Sequence, residues 1–266
     1  MTWWQALIIS IVEGLTEYLP ISSTAHMIFT AEILGITKNE FAKIFEISIQ
    51  LGAILAVVVS YRKKFFNFKN LKFYGLLAIA VVPALFLGWL FNEKIENVLE
   101  KTSVIAMVLI IGGVVLLFID NFFRQPEIDS EQDVSPKQAF MIGLWQCLAM
   151  MPGTSRSAAS IIGGMQQGLS RTAAAEFSFF LAVPTMLAAS TYSLFLKNWG
   201  ETSQKGYALI LSSPENIVNF IIGNIVAFIV AMLAIKFFIE IIKRFGFKIW
   251  GWYRIIAGAV LLLYFL

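Results

Sequence analysis

The length of its apolar runs constrains this chain more than any other feature. Six of them, near residues 41–61, 71–91, 103–123, 172–196, 215–238 and 250–266, are long enough to cross a hydrocarbon core. That core is roughly 30 Å thick and takes about 20 helical residues. Backbone polar groups in lipid must be satisfied inside the protein, and within one such run only a helix does this. Composition points the same way, with 58% hydrophobic and 14% charged residues against roughly 45–50% and about 25% in globular domains. A single cysteine, Cys147, excludes a disulfide scaffold. The net charge of +3 is small and its Lys and Arg lie between apolar runs, so no nucleic-acid partner is expected. The first fifteen residues have no basic n-region and already carry Glu13, so no removable signal peptide is expected either. The expected class is an all-α integral membrane protein among membrane lipids.

Two further apolar stretches, 3–34 and 137–168, are each interrupted midway by a polar, proline-containing knot. The first reads Tyr18-Leu19-Pro20-Ile21-Ser22-Ser23-Thr24 and the second Pro152-Gly153-Thr154-Ser155-Arg156-Ser157. Proline and a run of hydroxyls break a helix, and each flanking half is too short to span. Irregular backbone at membrane depth is tolerated only where it is buried in protein or lines a wet cavity. Each stretch is therefore expected to be a re-entrant helix–loop–helix that returns to the side it entered from.

Lysine and arginine bias sets the sides. The 62–72 loop carries Arg62, Lys63, Lys64, Lys69 and Lys72, and the 239–249 loop carries Lys243, Arg244 and Lys248, so both are expected inside. Threading six spans then places 92–102 and 197–214 outside, 124–136 inside and both termini outside. The first re-entrant pair enters from outside and the second from inside.

Internal similarity suggests two halves, about 1–123 and 137–266, within one membrane domain covering 1–266. At an offset of 133 residues, Gln5 meets Gln138, Ala6 meets Ala139, Glu13 meets Gln146 and Leu15 meets Leu148. After a one-residue gap, Pro20 meets Pro152, Ser23 meets Ser155, Phe45 meets Phe177 and Leu55-Ala56 meets Leu187-Ala188. Each half has one broken pair and then three spans, an odd number, so the halves are expected to be inverted with respect to each other. The two knots would then meet near the midplane, as binding sites do in inverted-repeat membrane proteins.

The knots carry the chemistry. Glu13 and Glu17 are four residues apart and share a helical face. Carboxylates at such depth are functional candidates by default. Oxygen ligands of this kind suit a hard divalent cation, Mg²⁺ or Ca²⁺, while one carboxylate as general base is the alternative. His26 is the only histidine in the chain, and Ser22, Ser23 and Thr24 ahead of it can dress the returning helix N-terminus as an anion site. In the second knot Thr154, Ser155, Ser157 and Ser160 surround Arg156, whose planar fork suits phosphate. A salt bridge from Arg156 to Glu13 or Glu17 is the competing structural reading. Glu46, Gln50 and Glu176 are candidates for supporting groups. Together these residues fit a multiply charged anion such as phosphate or diphosphate. A translocator of alternating-access type would share this topology, but acids, a histidine and serines facing one arginine exceed what anion binding needs.

The segments EGLTEYLPISSTAHM at 13–27 and PGTSRSAAS at 152–160 resemble the two signature motifs of the bacterial undecaprenyl-diphosphate phosphatases of the bacitracin-resistance type. IFEISIQLGAILAVVV at 44–59 adds to the resemblance, which covers essentially the whole chain. The second motif departs once, with Ser160 where that family usually has threonine; the hydroxyl is kept. The resemblance implies a hydrolase of a polyprenyl diphosphate lipid that recycles the carrier for peptidoglycan and other envelope polymers. It implies a bacterial inner (plasma) membrane location with an outward-facing site; a homodimer is compatible with it. By position, Glu13 and Glu17 match the essential glutamates, Ser23 and His26 the proposed nucleophile or acid–base residues, and Arg156 the phosphate-binding arginine.

Overall fold

Both broken stretches fold as a helix, a polar turn and a returning helix. In the computed structural model, which describes residues 1–99, 102–123, 125–200 and 203–265, α1 (Trp3–Thr16) and α2 (Ser23–Ile33) form the first such hairpin. Its two ends are tied by Gln5, whose amide nitrogen donates to the Leu34 carbonyl at 3.2 Å while its oxygen accepts from the Thr2 N–H at 2.9 Å. The chain continues through α3 (Glu40–Ser48) and α4 (Gln50–Ser60), which together make one membrane-spanning unit, and the short α5 (Arg62–Phe65). Two long helices follow, α6 (Leu71–Leu99) and α7 (Thr102–Phe122).

The second hairpin pairs α8 (Pro136–Gln146) with α9 (Arg156–Gln166). Gln138 holds it as Gln5 holds the first, donating to the Gln167 carbonyl and accepting from the Ser135 N–H, both at 2.9 Å. The chain goes on through α10 (Arg171–Thr191) and a π-helical turn at Tyr192–Leu196, then a two-stranded hairpin of β1 (Asn198–Trp199) and β2 (Gln204–Lys205), α11 (Gly206–Leu211), α12 (Pro214–Phe245) and α13 (Lys248–Phe265). Among the described residues five units, including Leu71–Phe91 and Thr102–Phe122, are long and apolar enough to cross a membrane. The sixth expected span, 250–266, falls on α13 and packs along α7.

Several boundaries differ from expectation. The 92–102 segment is helical through Leu99, because Asn92–Leu99 contains neither Gly nor Pro to stop α6. The 239–249 segment is helical up to Phe245; Gly246, at φ 65°, is the first residue able to end α12, and Lys243 and Arg244 favour its C-terminal dipole. The 62–72 loop contains α5, and 197–214 contains a β-hairpin and α11. Residues 100 and 101 of the 92–102 loop, 124 of the 124–136 loop, 201 and 202 of 197–214, and Leu266 of the sixth span lie outside the described residues.

Neither hairpin rests chiefly on its own half. Helix α1 packs on α12 and α8 packs on α6, and small residues let the backbones approach. A Cβ on Gly14 would come 2.9 Å from the Ala227 carbonyl, and one on Gly143 would overlap the Ala80 carbonyl. On α12, Ala227, Ala231 and Ala234 are buried while Ile225, Ile229, Leu233 and Phe237 are exposed. That apolar outer face is what a lipid-facing helix requires. Loops gather into two groups. Lys64 pairs with Glu131, and Arg171 and the Phe247 N–H both bind Asp120, so 61–72, 125–136, the mouth of the second hairpin and the α12–α13 turn share one end. Met1 accepts from Asn219 at the other end, beside the mouth of the first hairpin.

Candidate active site

The two knots abut in the interior. Each returning helix begins with a serine cap in an unusual backbone conformation: Ser22 at φ 71° and Ser155 at φ 74°. Positive φ at a non-glycine residue costs on the order of 1–3 kcal/mol and collects at functional sites. Each cap oxygen accepts from the backbone N–H three residues on, Ala25 at 3.4 Å and Ala158 at 3.2 Å. The structural partner of Ser155 is therefore Ser22 and not Ser23 as the expected gap implied, and Ser23 corresponds to Arg156. Because the remaining N–H groups of both first turns lack intrahelical partners, both knots present positive dipole ends.

Glu17 joins them. One carboxylate oxygen accepts from Ser23 Oγ at 2.5 Å; the other accepts from Arg156 Nη2 at 3.2 Å and Nε at 3.4 Å. Arg156 also donates through Nη1 to the Ser178 carbonyl of α10 at 3.0 Å, and its guanidinium lies 6.0 Å from the Tyr18 ring centre. Ser160 secures the base of the arginine, bonding the Arg156 carbonyl at 2.8 Å and Ser178 Oγ at 2.7 Å. Ser157 ties knot to knot, its Oγ donating to the Leu19 carbonyl at 2.7 Å and sitting 3.0 Å from Ser155 Oγ. The expected competing salt bridge is thus present, between Arg156 and Glu17. Taking both charges out of water costs about as much as the pairing returns, so such a pair is poor support for a purely stabilising role.

The other expected residues are placed as follows. Glu13, one turn before Glu17, is fully buried and both of its carboxylate oxygens lack a hydrogen-bond partner. Thr24 is half-buried in the first turn of α2. Thr154 enters the network through its backbone carbonyl. His26 turns toward α13: Nδ1 lies 2.7 Å from the Ser22 carbonyl and Nε2 2.7 Å from Tyr253 Oη, with the two rings stacked at 5.6 Å. A carbonyl only accepts, so Nδ1 carries the proton and Nε2 accepts from the tyrosine. Glu176 belongs to a separate group at the end that holds the basic loop, 3.4 Å from Tyr61 Oη and 3.9 Å from Lys64 Nζ. Glu46 and Gln50 are half-buried on the α3–α4 unit.

Sequence reasoning missed Arg254. It is completely buried in α13 and donates to five carbonyls: Pro20 of the first knot at 3.0 Å, Gly153 and Thr154 of the second at 2.8 and 2.9 Å, and Leu109 and Val108 of α7 at 3.2 and 3.4 Å. Gly112 makes room for it, since a Cβ there would overlap the guanidinium. An arginine in the middle of an apolar span is itself a functional signal, and that signal was in the sequence.

A cavity of about 850 Å³ opens between α6, α10 and the segment leading into the second knot. Its polar lining is Arg156, Gln146 and Thr185, and the rest is apolar, including Leu85, Trp89, Met150 and Tyr192. An arginine in the wall of a mostly apolar cavity suits an amphiphile with a charged head.

Among the described residues no group of three or more His, Cys, Asp and Glu side chains is gathered as a metal cage. The orphaned oxygens of Glu13 nevertheless fit a hard cation, because Mg²⁺ is usually held by one or two carboxylates, waters and substrate phosphates.

The family model described as bacitracin resistance protein BacA matches residues 6–260. An undecaprenyl-diphosphatase of Flavobacterium psychrophilum is 51% identical over 263 residues, covering 99% of this chain and 96% of that protein. Proteins of the same name from Porphyromonas gingivalis and Aquifex aeolicus are 46% and 42% identical, and the alignments cover 98% and 100% of this chain and 96% and 100% of those proteins. A full-length match of this kind, in a chain built as an all-α integral membrane protein, places it: the chain belongs to the BacA bacitracin resistance protein family.

Proposed function

We infer that this protein is a membrane phosphatase that hydrolyses undecaprenyl diphosphate to undecaprenyl phosphate and inorganic phosphate, returning the carrier lipid to peptidoglycan synthesis. The observation that carries this reading is the line Ser23–Glu17–Arg156 in a member of this family. A hydroxyl within hydrogen-bond reach of a base, itself oriented by a third group, is the arrangement of an activated nucleophile. Relatives named as undecaprenyl-diphosphatases lend the translocator reading no support.

In this reading the diphosphate takes Arg156 from Glu17, which leaves the carboxylate free to act as a base. Ser23 Oγ attacks the terminal phosphorus, its proton passes to Glu17, and the bridging P–O bond breaks so that the lipid monophosphate leaves with the electron pair. Phosphoryl transfer is mostly positioning and charge stabilisation, which the arginine fork and two helix N-termini supply. Glu13, with Glu17, would hold a divalent cation, which when bound neutralises charge on the phosphates. His26 is the alternative nucleophile or acid–base group; its engagement by Ser22 and Tyr253 favours Ser23.

The prenyl tail lies in the apolar part of the cavity. That part runs to Trp89 and Phe91, in the second half of α6, and Tyr192, at the C-terminal end of α10, away from the basic loops. Under the positive-inside rule this end opens toward the periplasmic or outer side of the inner (plasma) membrane. We read 1–123 and 137–266 as inverted copies, supported by the paired Gln5/Gln138 and Ser22/Ser155 devices and by the reciprocal packing of the hairpins.

The test is phosphate release from a polyprenyl diphosphate by purified protein in detergent, with and without EDTA, beside Glu17→Gln. Release that needs Glu17 and metal is expected. Bound lipid phosphate with no release would move the assignment to a translocator.

A further inference from the structure

Two of the three polar residues that line the cavity, Gln146 and Thr185, have no part in the reaction as drawn. Gln146 is 2% exposed. Its amide nitrogen donates to Thr185 Oγ1 at 3.1 Å, and that hydroxyl spends its own proton on the Leu181 carbonyl at 2.8 Å. Thr185 Oγ1 can therefore only accept from Gln146, which fixes the amide orientation and makes Oε1 the free group. Gln146 Oε1 is fully buried and has no hydrogen-bond partner. A buried acceptor left unsatisfied is costly, and native proteins keep such groups where something is to be bound. What this oxygen needs is a donor. The diphosphate and the lipid monophosphate are chiefly acceptors, whereas water is a donor.

The position of Gln146 says which water. With the lipid tail and the departing monophosphate in this cavity, as in the reading above, Gln146 in its wall stands on the leaving-group side of the phosphorus. In-line displacement at a phosphoserine requires the second nucleophile to enter from the side the leaving group has vacated. Resting on the phosphatase reading above, we propose that Gln146 is the water-positioning residue of the second half-reaction: its Oε1 accepts a hydrogen bond from the water that hydrolyses the Ser23 phosphoester, and Thr185 holds the amide in register. The water oxygen bonds to phosphorus and its second proton goes to a phosphoryl oxygen. The P–Oγ bond breaks, and Ser23 Oγ keeps the electron pair and recovers its proton from Glu17.

The test compares wild type with Gln146→Met, Gln146→Glu and Thr185→Val by steady-state phosphate release from a polyprenyl diphosphate in detergent, with size-exclusion profiles as a folding control. Gln146→Met matches the shape and removes the acceptor; kcat should fall about 10- to 100-fold, the loss of one hydrogen bond to a reacting group, with KM within about 3-fold. Gln146→Glu keeps an acceptor but adds a negative charge near the diphosphate; it should retain more kcat than Gln146→Met and raise KM. Thr185→Val removes the amide's anchor and should lower kcat by about 3- to 10-fold, and it decides the matter if Gln146→Met fails to fold. Wild-type kcat in Gln146→Met, or a change confined to KM, overturns the proposal. An inactive wild type overturns the phosphatase reading instead, so the two failures are distinct.

Discussion

Replacing Arg254 by methionine should loosen the junction of the two knots. The side chain is completely buried and its guanidinium satisfies carbonyls of Pro20, Gly153, Thr154, Leu109 and Val108. Methionine fills much of the volume but leaves all five acceptors without this donor. A hydrogen bond from a charged group contributes about 1.5–3 kcal/mol. Five do not add, because they share one desolvated cation and α7 keeps its own helical bonds. Stranding a buried acceptor costs about 1–3 kcal/mol, so for the three knot carbonyls, taken as less than additive, we take about 3–5 kcal/mol. At roughly 2–4 °C per kcal/mol for a chain of this size, Tm should fall by about 6–20 °C. The assay is thermal unfolding of detergent-purified protein, followed by intrinsic fluorescence. Arg254→Lys keeps the charge but not the planar fork and should recover less than half of the loss. Since Pro20 and Gly153–Thr154 would no longer be held in register, phosphate release should fall even below the melting range. A methionine variant that melts within about 2 °C of wild type would refute the view that Arg254 joins the knots.

Three further outcomes are expected. Arg156→Lys should lower kcat about 100-fold while the protein stays folded, since an ammonium cannot engage Glu17 and the phosphates as the fork does; near-wild-type turnover would count against it. Ser157→Ala removes one of the two donors to the Leu19 carbonyl, the Ile21 N–H remaining, and should cost about 0.5–1.5 kcal/mol in denaturant titration. Gly143→Ala sets a methyl against the Ala80 carbonyl where α8 crosses α6; the helices must separate, at a cost of about 1–3 kcal/mol that a Tm measurement would show, and an unchanged Tm would mean the crossing is looser than described.

Much of this architecture was legible because lipid leaves the backbone few options. Runs such as 71–91 and 103–123 had to be helices, and the helices Leu71–Leu99 and Thr102–Phe122 contain them. Both knots were legible as breaks, since Pro20 and Pro152 stand among hydroxyls inside apolar sequence. Helix ends were harder to read where hydropathy and helix propensity part company: Asn92–Leu99 is polar enough to suggest a loop yet has no residue that stops a helix. Ser23 and His26 are three residues apart, so sequence spacing groups them. Only the packed structure separates Ser23, bonded to Glu17, from His26, facing Tyr253 some 227 residues away. Arg254 lies outside both motifs, although a charge in an apolar span carries the same physical signal. Gln146 matched Glu13 by position, but its free acceptor depends on Thr185 and Leu181, a relation no spacing rule encodes.

The most direct test of the central claim is single-turnover reaction of a polyprenyl diphosphate labelled in its terminal phosphate, with wild type and with Ser23→Ala and Glu17→Gln. The account predicts phosphate release by wild type, and in both variants a chemical step slowed at least about 100-fold with the diphosphate still bound. Ser23→Ala releasing labelled phosphate at the wild-type rate would contradict the account and leave Arg156 and Glu17 as a binding pair without a serine nucleophile.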